Sequence, residues 1–340
     1  MADRPTILDV ADLAGVSIAT VSRALHSRDI VSDKTYKAVM SAIAKTGYTQ
    51  NTAAQNLRQR RANAVLVLVP YISNTYFSEI LSGIEQVASS ANLTVLIVDT
   101  ERDHQRTEEF FKYLSNGRAD GALLLEGYLP GHVFAQMQKT HGANIPIVTI
   151  SEALRAPLVP HVGIDNCAAA ELAVNHLIGL GHHHIAHLSG LEGIILSELR
   201  LKGYHKAMDN AGIARHERQI FSGDFTIMSG ENAGRQILML KDRPSAIFCA
   251  NDEMAMGLIS TLVNGGLGVP RDISVVGFDD IHFSRTFIPA LTTIRQPRAQ
   301  FGKQAAKILL SILKKNPIAA SDYKSFKAEL VVRQSTAPMK

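Results

Sequence analysis

The sequence predicts an α/β protein in which a small all-α head precedes a large body of parallel sheets with helices on both faces. Three observations predict it. The first 25 residues hold two short helical stretches separated by Gly15. From Ala64 onward, short apolar runs alternate with amphipathic stretches. A polar, Pro-containing pause at Ser151–Pro160 divides that series.

The head comes first. Ile7, Val10, Ala11 and Ala14 recur at i, i+3, i+4 and i+7, one apolar face of a helix. Thr6 is the expected N-cap, with Asp9 three residues on to reach back. Gly15 ends the helix where a left-handed residue is cheap, and Ser17 caps the next one. In that second helix Val16, Val21, Ala24 and Leu25 point inward, leaving Ile18, Ala19, Ser22 and Arg23 outward. This helix-turn-helix, with small outward residues and one Arg, suits insertion into a DNA major groove. Arg23 can take a guanine edge in bidentate fashion, and the Thr20 and Ser22 hydroxyls can hold phosphates. The competing reading is a helical cap on an enzyme. A third helix follows, capped by Ser32, striped by Tyr36, Val39, Met40 and Ile43, and stopped by Gly47. The polar, basic-ending stretch Tyr48–Arg61 reads as a solvated linker or as a segment that becomes helical only on DNA, and its length and position favour the second.

Charge supports a polyanionic partner for the head. Residues 1–61 hold 9 Lys and Arg against 5 Asp and Glu, while the remainder holds 26 of each, so the net charge of +4 sits in the head. The excess is small, so two heads held together are needed for useful affinity. Length allows a small domain plus one or two ordinary ones among 340 residues. No apolar run reaches a membrane span, and no secretory signal opens the chain, so a cytoplasmic protein is expected. Cys167 and Cys249 read as buried free thiols.

In the body, strands are expected at Val65–Val69, Thr94–Val98, Ala122–Leu125, Ile145–Ile150, His184–Leu188, Ala246–Cys249 and Ser274–Phe278, interleaved with helices. Short buried strands of this kind form parallel sheets covered on both faces. The series is too long for one sheet, and a second is expected to begin around His161. A helix over Arg298–Leu313 precedes a final strand at Phe326–Val332. The expected domains are 1–48, a linker at 49–61, and a two-lobed body at 62–340. One lobe spans about 62–160 and 297–320, the other about 161–292 and 321–335.

Ligands bind beyond the carboxyl ends of such strands, and those ends are polar here. They include Tyr71–Phe77, Ser151-Glu152, Asp165-Asn166, Asn251-Asp252, Asp279-Asp280 and Gln296. Each can equally be a helix cap, Asp165 and Asp252 above all. Catalytic signatures are missing: there is no Gly-x-Ser-x-Gly, His-Glu-x-x-His or Walker loop. The run His182-His183-His184 with His187 lacks adjacent Cys or acid and reads as a turn leading into an exposed strand start, not a metal site. No cofactor is called for.

Several motifs together resemble the lac repressor (LacI/GalR) family of bacterial transcription regulators over essentially the whole chain. They are Asp9-Val-Ala-x-x-Ala-Gly-Val-Ser17, Thr20-Val-Ser-Arg23, Gly47-Tyr48, Ser197-x-x-Arg-Leu-x-Gly-Tyr204, Asn251-Asp252, and Val275-Val-Gly-Phe-Asp-Asp280 with Leu291-Thr-Thr-Ile294. The resemblance implies a homodimer on a pseudo-palindromic operator in double-stranded DNA. It also implies a periplasmic-binding-protein-like body of two lobes joined by three crossovers. DNA is implied to be met by Thr6, Ser17, Ile18, Ala19, Thr20, Ser22 and Arg23. A hinge helix carrying Asn51, Ala54, Gln55 and Leu57 is implied to enter the minor groove, with Leu57 as the wedge. Gln50 and Gln55 depart from the Pro and Arg that the family often has there. The implied effector contacts are Asn74, Phe77, Ser151, Glu152, Arg200, Phe225, Asn251, Asp279 and Gln296. One Arg against two carboxylates favours a neutral sugar over an anion, with a nucleoside as the alternative. Release of DNA by ligand is the expected mechanism.

Overall fold

The computed structural model describes residues 5–49, 61–142, 144–155, 159–214, 219–317 and 325–339. The chain divides into two units, Met1–Arg61 and Ala62–Lys340.

In the head, α1 (Ile7–Ala14) begins at a reciprocal capping box. Thr6 Oγ1 accepts from Asp9 N, and Thr6 N donates to Asp9 Oδ2 at 2.7 Å. Gly15, at φ 65°, turns the chain toward α2 (Ile18–His26), which Ser17 caps by accepting from Thr20 N at 3.2 Å. A third helix, α3 (Asp33–Thr46), starts at Ser32 and stops at Gly47, φ 67°. Val10, Ala11, Val21, Ala24, Val39 and Ala42 form the core. One stripe residue differs from expectation: Met40 is exposed, and Ala42 takes the inner position beside Tyr36, Val39 and Ile43. The hinge positions Asn51, Ala54, Gln55 and Leu57 lie outside the described residues.

The body holds two six-stranded sheets. Along the chain the strands are β1 (Ala64–Val69), β2 (Thr94–Asp99), β3 (Gly121–Leu124), β4 (Ile147–Ile150), β5 (His161–Ile164), β6 (Ile185–Leu188), β7 (Ile220–Phe221), β8 (Ala246–Cys249), β9 (Ser274–Asp279), β10 (Thr292–Arg295), β11 (Ser325–Phe326) and β12 (Glu329–Val331). The first sheet runs β11-β5-β4-β3-β1-β2 and the second β12-β10-β9-β8-β6-β7. All pairings are parallel except β10 with β12, so the second sheet is mixed at one edge.

Two expectations are corrected here. The strand at His161 does not open the second sheet; it pairs with β4 in the first, and the polar pause before it is an excursion between neighbouring strands. The final strand is two short ones: β11 adds to β5, and β12 crosses to β10. The chain therefore passes between the sheets three times, after Ile164, at Gln296-Pro297, and between Phe326 and Glu329.

Helices cover both sheets. They are α4 (Tyr76–Ser90), α5 (His104–Ser115), α6 (Gly131–His141), α7 (Asn166–Gly179), α8 (Ile195–Asn210), α9 (Ile227–Met239), α10 (Asp252–Asn264) and α11 (Arg298–Leu313). Where α4 meets α11 the backbones touch. A Cβ on Gly83 would lie 2.2 Å from Ala299 O, and one on Gly302 2.0 Å from Ile80 O. Gly302→Ala is expected to cost at least the roughly 1–3 kcal/mol of an overpacked core. Thermal unfolding checks this, and an unchanged Tm would show that the helices part freely.

Candidate functional site

The outward face of α2 is as the sequence implied. Ser17, Ile18, Ala19, Ser22 and Arg23 are exposed, Thr20 is half-buried, and Thr6 is exposed at the start of α1. Ser17 and Thr20 are also tied to each other, Oγ to Oγ1, at 2.9 Å. Their hydroxyls therefore fix the start of the helix as well as facing outward.

In the body, the strand ends of the two lobes face one cavity. Asn74, Phe77, Ser151, Glu152, Arg200, Phe225, Asn251 and Asp279 all line it. Gln296 does not; it stands behind, donating from Nε2 to Asp279 Oδ1 at 2.7 Å and accepting from the Tyr76 hydroxyl at 3.3 Å. Sequence reading missed Pro70, Tyr71, Tyr76, Arg102, Leu125, Leu196 and Asp224, which complete the lining. Tyr76 was within reach of it: the residue sits inside the polar stretch Tyr71–Phe77, and its hydroxyl meets Ser151 Oγ at 2.6 Å. Leu125 and Leu196 carry no sequence signal that separates them from ordinary core.

The second lobe positions its groups firmly. Arg200, on the second turn of α8, donates from Nε to Asn166 Oδ1 at 3.0 Å and from Nη1 to Ala250 O. Its guanidinium carbon lies 3.8 Å from the Phe278 ring centroid, and its Nη2 is 3.9 Å from Asp279 Oδ1. Only part of its donor fork is therefore left for a ligand. Asn251 caps α10 through Met254 N and donates to Phe225 O at 2.9 Å. Its amide is committed to shaping the wall. Phe225 lies against Gly190, where a Cβ would come 2.1 Å from the ring. Arg102, Ser151, Phe225 and Asp279 all have positive φ, between 55° and 118°. Non-glycine residues adopt this costly conformation where the surroundings over-determine it, often at ligand sites.

The carboxylates divide by role. Asp279 is buried; burial pushes its carboxyl up to about 8, with Arg200 opposing the rise. Asp252, next to Asn251, is not a ligand group. It accepts from Ile281 N at 2.9 Å, Ser284 Oγ at 2.6 Å and the Thr293 hydroxyl, knitting β9 to β10. Asp165 caps α7. Glu152 pairs with Arg102 at 3.2 Å.

Two histidines of the run at 182–187 are structural. His182, expected near an exposed strand start, is buried, with Nδ1 3.0 Å from Ser245 Oγ and Nε2 3.0 Å from Ala337 O. It ties the C-terminal tail to the second sheet. His187 is sandwiched between Tyr204 and Phe248. Among the described residues no cluster of His, Cys, Asp and Glu could hold a metal ion, and no helix is long and apolar enough to cross a membrane. Cys249 is buried, whereas Cys167 is only half-buried.

A helix-turn-helix head and a two-sheet body with a cleft between its lobes define a DNA-binding transcriptional regulator built on a periplasmic-binding-like body. Comparison with known proteins agrees. Residues 6–51 match the profile of the bacterial regulatory proteins of the lacI family, and residues 174–336 that of the periplasmic binding protein-like domain. The chain is 37% identical over 332 residues to the HTH-type transcriptional repressor CytR of Escherichia coli K12, covering 97% of this chain and 96% of that one. It is 34% identical over 330 residues to the repressor PurR of Photobacterium profundum, covering 97% and 98%. Among solved structures, the lac repressor dimer bound to operator and an anti-inducer aligns at TM-score 0.85 with 29% identity, over 98% of this chain and all of that one. The regulator CelR in complex with cellobiose aligns at 0.71 with 30% identity, over 98% and 100%. This chain belongs to the lacI family, and it is a DNA-binding repressor, not an enzyme.

Proposed function

We propose that the chain represses transcription as a homodimer on a pseudo-palindromic operator. It is released when a neutral sugar carrying a vicinal diol binds between the lobes of each protomer. The single observation that carries the effector reading is the pair Arg200 and Asp279, both buried and 3.9 Å apart on the wall of one cavity. Buried polar groups are costly unless paired. A diol donates two hydroxyls to the carboxylate and accepts from the remaining guanidinium nitrogen. Arg102 and Arg200 face Glu152 and Asp224 in the lining with the Asp279 carboxyl beside them, so no net positive charge is offered to an anionic ligand. The cellobiose bound by CelR is in keeping with this chemistry.

The dimer is supported by apolar side chains left exposed on both lobes. These are Ile72 and Ile97 on one, and Ile227, Met228, Phe283 and Ile288 on the other. The basic head gains useful affinity from pairing. The domain plan follows: a reading head at 1–48, a hinge at 49–61 entering the minor groove, and an effector body at 62–340.

A nucleoside is the second reading, favoured by a specific observation. Pro70, Tyr71, Leu125 and Leu196 give the cavity an apolar half beside Phe77 and Phe225. A flat base fits such a wall while its ribose presents the same diol. Calorimetry of the full chain with glucose, galactose, ribose and cellobiose, and with cytidine, uridine, adenosine and inosine, separates the two. Saccharide binding supports the first reading, nucleoside binding alone supports the second, and heat from neither overturns the cleft assignment.

A pH dependence follows from Asp279. Below about 8 the carboxyl holds its proton; above it, both oxygens accept from the diol. Affinity is expected to rise between pH 6 and pH 9, and to stay flat in Asp279→Asn. Affinity falling over that range would contradict the acceptor role.

A further inference from the structure

Where the chain crosses between the sheets at Gln296-Pro297, it places a buried arginine. Arg298 opens α11 and is 3% exposed. Nothing local accounts for it there. A cation at the first residue of a helix opposes the macrodipole, and a buried guanidinium is costly unless its donors are paired. Its Nε is buried and has no partner among the described residues. Only the two Nη atoms offset that cost.

Those two atoms reach both lobes. Nη1 donates to Tyr76 O at 3.3 Å, in the first turn of α4. Nη2 donates to Glu79 Oε1 at 2.8 Å, in the same turn, and to Asp280 O at 2.9 Å, just past the end of β9. One nitrogen thus spans the first lobe and the second. Both ends are stiff. On the first lobe, α4 and α11 touch backbone to backbone at Gly83 and Gly302. On the second, the Asp280 carboxylate accepts from Arg295 Nε at 2.7 Å and from Arg333 Nη2 at 2.6 Å. Asp280 sits at φ 53°, a costly conformation that these surroundings hold in place. Arg298 itself does not line the cavity.

We propose that Arg298 is a positioning residue that sets the angle between the lobes, bolting the first turn of α4 to the end of β9. Two-lobed bodies turn about a few residues at such crossings. The bolt sets the resting angle on which a cleft ligand acts, and it does not depend on what that ligand is.

Double electron–electron resonance on the full chain tests this without a ligand. Spin labels go on Gln138→Cys in α6 and Lys202→Cys in α8, exposed positions on different lobes, with Cys167→Ser in the background. An excess of unlabelled chain keeps the labelled pair within one protomer. The parent is expected to give one narrow distance distribution. Arg298→Met, which keeps the length and loses every donor, is expected to add a longer population. Arg298→Lys keeps a charge for Glu79 without the planar fork, and should reverse part of that shift. Glu79→Ala removes the α4 arm alone from an exposed position. It is expected to shift the distance the same way by less, and it covers the case that Arg298→Met fails to fold. Ile308→Ala, a core truncation in the same helix, should lower the Tm and leave the distance unchanged. An unchanged distribution in both Arg298→Met and Glu79→Ala would overturn the proposal. So would the same shift in Ile308→Ala, since lost stability alone would then account for it.

Discussion

Asp279→Ala is expected to weaken the effector by about 2–4 kcal/mol, roughly 30- to 1,000-fold. The carboxylate ends β9 inside the cleft, held by Gln296 and facing Arg200. Its loss removes the acceptor and the polar group that faces the buried guanidinium. Operator affinity without effector should be unchanged, because the substitution leaves the reading helix alone. Titration calorimetry with the best ligand gives the magnitude. Unchanged affinity in both Asp279→Ala and Arg200→Ala would remove the pair from the site.

Arg23→Ala is expected to cost about 1–3 kcal/mol on the preferred operator, about 5- to 150-fold. It should relax base preference at one position in each half-site. Arg23 is exposed on the outward face of α2, next to Ser22 and one turn on from Ala19. Replacing Ile18 or Ala19 should change which sequence is preferred. Binding-site selection with labelled duplexes reads both effects. If Arg23→Ala bound as tightly and as selectively as the parent, the reading surface would lie elsewhere.

The head was legible because its signals are local. Thr6 with Asp9, Gly15, Ser17, Ser32 and Gly47 each act within one helical turn of their own position. Sheet membership was not, because it is decided by distant partners. His161–Ile164 looks like the start of a new sheet only while β4 is out of sight, and residues 325–331 look like one strand although β5 and β10 claim separate halves. The cleft was half legible. Polar residues at strand ends announce themselves, and eight of the nine implied effector contacts line one cavity. Hydrogen bonding then assigns roles that residue type cannot. Asn251 and Gln296 support other groups, and Asp252 is a structural knot beside the site. Leu125, Leu196 and Pro70 were invisible, since an apolar residue facing a ligand is written like one facing the core.

In the proposed mechanism a ligand in the cleft sets the affinity of the head for DNA. Only a difference in ligand affinity between the DNA-binding and released states can do this. Fluorescence anisotropy of a labelled operator with the full chain, with and without saturating ligand, tests it most directly. Ligand is expected to raise the operator Kd by about tenfold or more, and Asp279→Ala to hold operator equally well in both conditions. An operator Kd that does not move while calorimetry shows the cleft filled would contradict it.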